Sequence, residues 1–315
     1  MFKIEKIALC ALMLGAFSSL VKAQEPSGTY MFAQRDTCEL FMDVYDPTPG
    51  SVKEIDGVKK PAIIFMFGGG FMEGERNNSY YIPWFKSLND EGYRVFSIDY
   101  RLGLKGVTKM GIGQADLLLK AIDLAVEDLY SATNFILENA DAFDIEPDGL
   151  VISGSSAGAI SVMQAEYDLA NGKPIAQVLP DGFDYAGVMS FSGAVYSDDG
   201  KASYRRDPAP TLMFHGTADK LVPYKQIHFL RKHFAGTKIL APIFFDGGYN
   251  VNVIRFEGHG HEIASAMPLT IPEQLRFLEV NVMKKQKRII DTMVIDDPVI
   301  PFPSWGNSTA DDLYK

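Results

Sequence analysis

The sequence is poor in cysteine, with only Cys10 and Cys38 in 315 residues. Cys10 lies in an N-terminal segment that has the pattern of a cleaved leader, so one cysteine would remain in the mature chain. A single cysteine excludes a disulfide scaffold, and the fold must depend on a hydrophobic core. The length and the 47% hydrophobic content are sufficient for one large core.

Positive charge is also scarce, with 30 basic residues against 40 acidic ones and a formal net charge of −10. Loss of residues 1–23 would remove three lysines and one glutamate, which brings the net charge to −12. Binding to a phosphate backbone needs a basic surface. We therefore expect no nucleic-acid partner.

The first 23 residues have the pattern of a secretory signal peptide. Lys3 and Lys6 precede an apolar stretch over 7–21, and small residues flank Ala23. The apolar stretch is short for a bilayer and no stop-transfer pattern follows, although a retained anchor is the alternative. We expect cleavage after residue 23, export to the periplasm or the medium, and no stable membrane anchor.

The remaining chain lacks internal repeats, low-complexity tracts and any long linker rich in Pro, Gly or Ser. We therefore predict a single domain over residues 24–315, with a C-terminal tail from about residue 290. Nothing in the sequence indicates the oligomeric state.

Short apolar or alternating runs separate longer stretches with helical periodicity. This alternation predicts an α/β fold with a mostly parallel central sheet and helices on both faces. The runs at 62–67 and 150–153 show little alternation, as is typical of central strands. The predicted strands are 40–45, 62–67, 94–98, 150–153, 187–191, 211–214 and 252–256, and the predicted helices are 80–91, 114–139, 157–171, 224–234 and 272–285.

The segment Gly154-Ser155-Ser156-Ala157-Gly158 follows a predicted strand and precedes a predicted helix. This is the GxSxG pattern in the context that a nucleophilic serine requires, because small neighbours permit a sharp strand-to-helix turn. The N-terminus of the following helix favours developing negative charge. The alternative is an ordinary Gly/Ser turn that caps a helix.

A nucleophilic serine needs a base and an acid, which this pattern places later in the chain in the order Asp, His. Asp219 follows the predicted strand at 211–214, at the carboxyl edge of the sheet where catalytic groups gather; the alternative is a turn or cap residue. His259 and His261 lie in a later glycine-rich loop, and one of them is the candidate base. Two histidines at this spacing are also typical of part of a metal site, but the sequence has no cluster of Cys, His or acidic residues to supply the other ligands.

Three glycines, Gly68, Gly69 and Gly70, directly follow the predicted strand at 62–67. Consecutive glycines let backbone N–H groups converge on one point, as an oxyanion requires. A phosphate-binding loop is the alternative, but the Lys-Ser/Thr pair of a P-loop is missing.

Together these motifs resemble the hormone-sensitive-lipase-like and carboxylesterase branch of the α/β-hydrolase family, over roughly residues 40–278. The resemblance rests on FGGGF at 67–71, SIDYRL at 97–102, GSSAG at 154–158, HGTADKLVP at 215–223 and EGHGHE at 257–262. It implies a serine esterase without cofactor or metal, in which Ser156 is the nucleophile, Asp219 the acid and His261 the base. The backbone N–H groups of Gly69, Gly70 and Ala157 would form the oxyanion hole.

The chain departs from the family pattern at Phe67, which occupies the position where the family usually has a histidine. That histidine tends to brace the glycine loop through hydrogen bonds. We expect the N–H donors of the loop to remain in place, but the resemblance does not say what braces them here.

The substrate is expected to be a small-molecule or carbohydrate-linked ester, with acetyl or feruloyl esters of plant polysaccharides as candidates. Aromatic and neighbouring residues after the glycine loop would line the pocket. A serine peptidase of the same fold and a catalytically silent binding module are the competing interpretations. The residues assigned to the pocket are Phe71, Met72, Trp84 and His259.

The segment between the predicted strands at 187–191 and 211–214 is short and polar. It lacks the apolar face that a lipid-sensing lid must bury and expose. We therefore expect a small lid or none, a preference for short or compact acyl groups, and no interfacial activation. The insertion at 103–113 is the remaining candidate cover.

Overall fold

A computed structural model describes residues 24–108, 115–198, 200–229, 231–296 and 302–313. The predicted signal peptide at 1–23 and half of the insertion at 103–113 lie outside these ranges. Within them, no helix combines the length and the apolar character that crossing a bilayer requires.

The core of the fold is a nine-stranded sheet in the order β1-β2-β6-β5-β7-β8-β10-β13-β14, in which β1 and β2 run antiparallel to their neighbours and all other pairs are parallel. The predicted α/β fold with a mostly parallel sheet is confirmed. The strands in chain order are β1 Gly28–Gln34, β2 Glu39–Tyr45, β3 Glu54–Ile55, β4 Val58–Lys59, β5 Ala62–Met66, β6 Val95–Ile98, β7 Leu150–Ser155, β8 Gly187–Phe191, β9 Ala194–Ser197, β10 Thr211–Gly216, β11 Gln226–Phe229, β12 Lys232–Gly236, β13 Val251–Phe256 and β14 Ile289–Val294.

Helices cover both faces of this sheet. Phe65 of β5 packs its ring against Trp84 and Phe85 of the helix Ile82–Asp90, whereas Phe96 of β6 packs against Phe143, in the turn that follows the helix Ala115–Glu138. Because Phe96 pairs with Ile64 in the sheet and successive strand residues point to opposite faces, these two packings lie on opposite sides. The helices are α1 Ile82–Asp90, α2 Ala115–Glu138, α3 Ala157–Ala170, α4 Thr237–Asp246, α5 Ile271–Phe277, continued by a π-helical segment Leu278–Met283, and α6 Ala310–Leu313.

The two strands predicted as central, β5 and β7, are neighbours in the middle of the sheet and fully buried. In their sequences, AIIFM and LVISGS, the only polar side chains are two serines, which are small. Burial on both faces explains why neither strand shows the alternation of a half-exposed strand.

Two predictions about the secondary structure are wrong. The segment predicted as a helix at 224–234 instead forms the hairpin β11–β12, which joins β9 in a small antiparallel sheet. Its alternating residues pair across the strands, as in the stacking of His228 on His233 at 5.5 Å. The tail predicted from residue 290 begins later, because β14 pairs in parallel with β13 as the last strand of the main sheet.

The connection from β8 to β10 contains the short strand β9 and no helix within residues 192–198 and 200–210. This agrees with the expectation of a loop rather than a helical cap at that point.

Glu166 on α3 provides a test of the packing between this helix and the β8–β10 connection. Its Oε1 accepts the N–H of Ala209 at 2.9 Å, and burial raises the pKa of its carboxyl from 4.5 to about 8. The folded state therefore holds a proton that the unfolded chain releases above pH 4.5. Stability should fall as the pH rises from about 4.5 to 8.

We expect Glu166→Gln to remove this loss of stability, because the amide stays neutral at every pH. The gain in unfolding free energy should be near zero at pH 4 and on the order of 2–4 kcal/mol at pH 8.5. Urea unfolding at the two pH values measures it, with Glu138→Gln, an exposed change of the same kind, as the control. An equal effect at both pH values would contradict the assignment.

Candidate active site

Ser156 stands alone between the last residue of β7 and the first residue of α3, with φ 53° and ψ −115°. Residues other than glycine rarely adopt this backbone conformation, so the surrounding structure must impose it. A Cβ on Gly158 would lie 2.1 Å from the carbonyl oxygen of Met66, and one on Gly154 would lie 2.3 Å from the backbone of Gly158. The glycines of the GxSxG pattern thus allow strand and helix to meet closely enough to force the turn.

Three residues from separate loops form a continuous hydrogen-bonded array. The hydroxyl of Ser156 lies 2.8 Å from Nε2 of His261, and Nδ1 of the same ring lies 2.9 Å from Oδ2 of Asp219. The residues come from the ends of β7, β10 and β13, neighbouring parts of one sheet edge. The structure therefore brings together the three residues predicted as nucleophile, acid and base.

Asp219 is buried, and its carboxylate accepts several hydrogen bonds. Oδ1 accepts the backbone N–H groups of Leu221 and Val222, both at 3.0 Å. Nε2 of His215 lies 3.4 Å from Oδ2. Burial by itself would raise the pKa of the Asp219 carboxyl, but the charge of His261 and the hydrogen bonds from both histidines outweigh it and hold that pKa well below its usual range.

His259 has a different environment from His261. Its Nδ1 lies 2.9 Å from Oε1 of Glu262, and the other oxygen of that carboxylate accepts the N–H of Gly260 at 2.9 Å. His259 therefore contacts the turn that carries His261 rather than Ser156 or Asp219.

The glycine loop lies directly against the nucleophile. A Cβ on Gly68 would be 3.2 Å from the Cβ of Ser156. Gly69 and Gly70 have φ values of 129° and 63°, which turn the peptide planes in a way that side chains other than glycine disfavour. Ala157 is the first residue of α3, whose initial N–H groups have no acceptor within the helix. Of the residues predicted as the oxyanion hole, Gly69 and Gly70 thus follow a glycine that lies against Ser156, and Ala157 follows Ser156 directly in the chain.

Phe67, at the position where the family that the sequence resembles usually has a histidine, packs through its ring. Its ring stacks on Tyr100 at 4.5 Å, and the Tyr100 hydroxyl donates to the Phe67 carbonyl oxygen at 2.9 Å.

A cavity of about 670 Å³ opens above Ser156 and His261. Its walls come from the glycine loop, from the segment after it, from Leu221 and from the C-terminal segment 302–313. The lining residues are Phe67, Gly68, Gly69, Gly70, Glu73, Gly74, Glu75, Asn78, Tyr80, Tyr81, Ser155, Ser156, Leu221, His261, Phe302, Trp305, Ser308, Asp312 and Leu313.

None of the four residues predicted for the pocket lines this cavity. Phe71 and Trp84 are buried in the core, and the indole N–H of Trp84 donates to Gln274 at 2.8 Å. Met72 packs against the core, and His259 is directed to Glu262. The prediction failed because apolar residues near a glycine loop are used equally for core packing.

The C-terminal segment 302–313, here the strap, supplies a wall that the sequence did not predict. A Cβ on Gly260 would lie 1.8 Å from the carbonyl oxygen of Gly306, and one on Gly70 would lie 2.5 Å from Leu313. The strap therefore connects the His261 turn to the glycine loop. Its ring pair Phe302 and Trp305 stacks at 4.7 Å, and Phe302 also contacts Tyr80 at 4.9 Å.

The ionisable residues in the cavity lining are His261, two tyrosines and three acids, with no lysine or arginine among the lining residues that the structure describes. The acids are Glu73, Glu75 and Asp312. Across the same described ranges, no group of three His, Cys, Asp or Glu side chains is arranged to hold a metal ion.

Residues 42–171 match the family model described as BD-FAE. Among curated proteins, Esterase E4 of Myzus persicae is 31% identical over 136 residues, 43% of this chain and 23% of that protein. Neuroligin-2 of Mus musculus is 29% identical over 173 residues, 49% of this chain and 19% of that protein. The chain thus spans less than a quarter of the length of these relatives.

Solved structures resemble the chain over most of its length. The thermophilic esterase of Thermogutta terrifontis with bound butyrate has a TM-score of 0.59 at 19% identity, covering 82% of this chain and 96% of that one. The propionate-bound form has a TM-score of 0.58 at 19% identity, covering 81% and 95%. Likeness at this identity establishes a shared fold.

Proposed function

We propose that this chain belongs to the α/β-hydrolases and is an exported serine esterase that cleaves carboxylic esters through Ser156, His261 and Asp219. The observation that carries the proposal is the unbroken array from the Ser156 hydroxyl through the His261 ring to the Asp219 carboxylate, with contacts of 2.8 and 2.9 Å. The array opens into a cavity of a size suited to a small molecule.

In the first half-reaction, the Ser156 oxygen attacks the ester carbonyl carbon while Nε2 of His261 takes the hydroxyl proton. The tetrahedral intermediate collapses as that proton passes to the alcohol oxygen, whose bond to carbon breaks. The acyl group remains on Ser156. Water then repeats the sequence, and its proton travels through His261 back to Ser156 as the carboxylic acid leaves.

Asp219 keeps the His261 ring in the tautomer whose Nε2 accepts the serine proton. The carboxylate also stabilises the imidazolium that forms after transfer. Because the pKa of the Asp219 carboxyl is lowered, the carboxylate keeps its charge at neutral pH.

The negative charge that develops on the carbonyl oxygen during attack is stabilised by hydrogen-bond donors that are already in position. The N–H groups of Gly69, Gly70 and Ala157 are the proposed donors, since the glycine loop and the start of α3 lie on either side of Ser156. The N-terminus of α3 adds a favourable potential at the same point.

A catalytically silent module is the competing proposal, because a fold does not by itself imply an activity and the curated relatives include a protein that is not named an esterase, Neuroligin-2. The Ser156 array favours catalysis. A silent module has no need to hold a serine at φ 53°, a conformation that costs on the order of 1–3 kcal/mol.

The substrate that we propose is a neutral ester whose alcohol or acyl part presents a flat ring, with acetyl or feruloyl groups on plant polysaccharides as candidates. The rings of Phe302 and Trp305, which line the same cavity as Ser156, offer a stacking surface. The three acids of the lining disfavour an ester that carries a carboxylate.

Ser156→Ala should reduce hydrolysis of nitrophenyl acetate on the order of a millionfold, because the attacking oxygen is lost. Ser153→Ala is the matched control. It removes a buried hydroxyl three residues earlier in β7 that makes no hydrogen bond among the described residues, and its rate should stay within about twofold of wild type. Equal rates for wild type and Ser156→Ala would refute the mechanism.

Trp305→Ala should raise the KM for feruloyl esters about 3–10-fold while leaving nitrophenyl acetate nearly unchanged, since a stacking contact contributes about 0.5–1.5 kcal/mol. Ile227→Ala, an exposed apolar change on β11 outside the cavity, is the control. The substrate proposal is wrong if Trp305→Ala leaves the feruloyl KM unaltered, or if uronate-bearing esters are cleaved faster than neutral ones.

A further inference from the structure

The glycine loop of this chain is braced by a residue outside the family motifs. The backbone N–H of Gly68 donates to the hydroxyl oxygen of Tyr81 at 3.1 Å. Tyr81 directly precedes α1, so the bond ties the loop after β5 to the start of the next helix. The Phe67 side chain has no hydrogen-bonding group and cannot brace the loop. Tyr81 instead accepts the first N–H of the loop, that of Gly68.

The connection continues from Gly68 into the turn that carries Ser156. A Cβ on Gly68 would lie 3.2 Å from the Ser155 hydroxyl oxygen, and the Ser155 hydroxyl donates to the carbonyl oxygen of Ala264 at 2.7 Å. The contacts run from Tyr81 through Gly68 and Ser155 to Ala264.

Ala264 belongs to the short helical turn His261–Ser265. These contacts therefore join the glycine loop, the residue before the nucleophile, and the turn that bears His261. The neighbouring Tyr80 makes a parallel connection, since its hydroxyl donates to the carbonyl oxygen of Ser265. Tyr80 thus attaches the His261 turn directly to the segment before α1, and Tyr81 reaches the same turn through Gly68 and Ser155.

We propose that Tyr81 is a positioning residue that holds the oxyanion loop in register with Ser156 and His261, in place of the family's histidine. The proposal rests on the esterase function given above. Tyr81 acts through Gly68 and Ser155 and takes no part in proton transfer.

The surroundings of Tyr81 suit such a role. Its ring packs edge-on against Phe65 at 4.7 Å, so the hydroxyl has little freedom to move. Burial raises the pKa of the Tyr81 phenol. The phenol therefore keeps its proton near neutral pH, and its oxygen accepts the N–H of Gly68.

Tyr81→Phe should lower kcat about 10–100-fold on nitrophenyl acetate with KM within about twofold, because a misplaced oxyanion donor costs most in the transition state. The same variant should bind a trifluoromethyl ketone, whose adduct carries an oxyanion, about 10-fold or more weakly. Weakened binding of the oxyanion adduct separates positioning from a general loss of stability.

Tyr130→Phe is the matched control, since it also loses one buried tyrosine hydrogen bond, to the Ala165 carbonyl oxygen at 2.7 Å, but away from the cavity. Its kcat and ketone affinity should stay within about twofold of wild type. Ser155→Ala removes the hydrogen bond to the Ala264 carbonyl oxygen and should give the same selective loss of kcat. This variant replaces Tyr81→Phe in the test if Tyr81→Phe does not fold.

The proposal is overturned if folded Tyr81→Phe, or Ser155→Ala in its place, keeps wild-type kcat and ketone affinity. It is also overturned if Tyr130→Phe shows an equal loss. Failure of the esterase function itself is distinguishable, because wild type would then show no serine-dependent hydrolysis at all.

Discussion

The left-handed backbone of Ser156 is the constraint on which the rest of the site depends. The strained turn exists because α3 starts immediately at the end of β7, and because Gly154 and Gly158 let their backbones come within contact distance. The strain raises the serine above the sheet edge, where the glycine loop can reach it. A side chain at either glycine would separate strand from helix and remove the reason for the conformation.

Every other group of the site is held by the ends of strands next to that turn. The carboxyl ends of β5, β7, β10 and β13 lie along one edge of the sheet. The loops that follow these strands can therefore be short and still contact one another. Asp219 can remain charged in this buried place because two backbone N–H groups and two histidines surround it. The strap then closes the far side of the cavity by packing Gly306 against Gly260.

The sequence predicted the parts of this arrangement that short local patterns specify. Apolar runs located β5 and β7, and the glycine motifs located the loop and the turn around Ser156. The pocket was not predictable in the same way, because Trp84 and Trp305 look alike in sequence and only packing decides that one is buried and the other lines the cavity. The Tyr81 connection depends on contacts between residues far apart in the chain, which no local pattern records.

The central claim, that His261 and Asp219 activate Ser156 as a nucleophile, is tested most directly by covalent labelling. A fluorophosphonate should add once per chain, and peptide mapping should place the adduct on Ser156. His261→Ala should slow the labelling by a factor of 100 or more, about the contribution of a general base, whereas His259→Ala should label at nearly the wild-type rate. Absence of an adduct, an adduct on another residue, or normal labelling of His261→Ala would contradict the account.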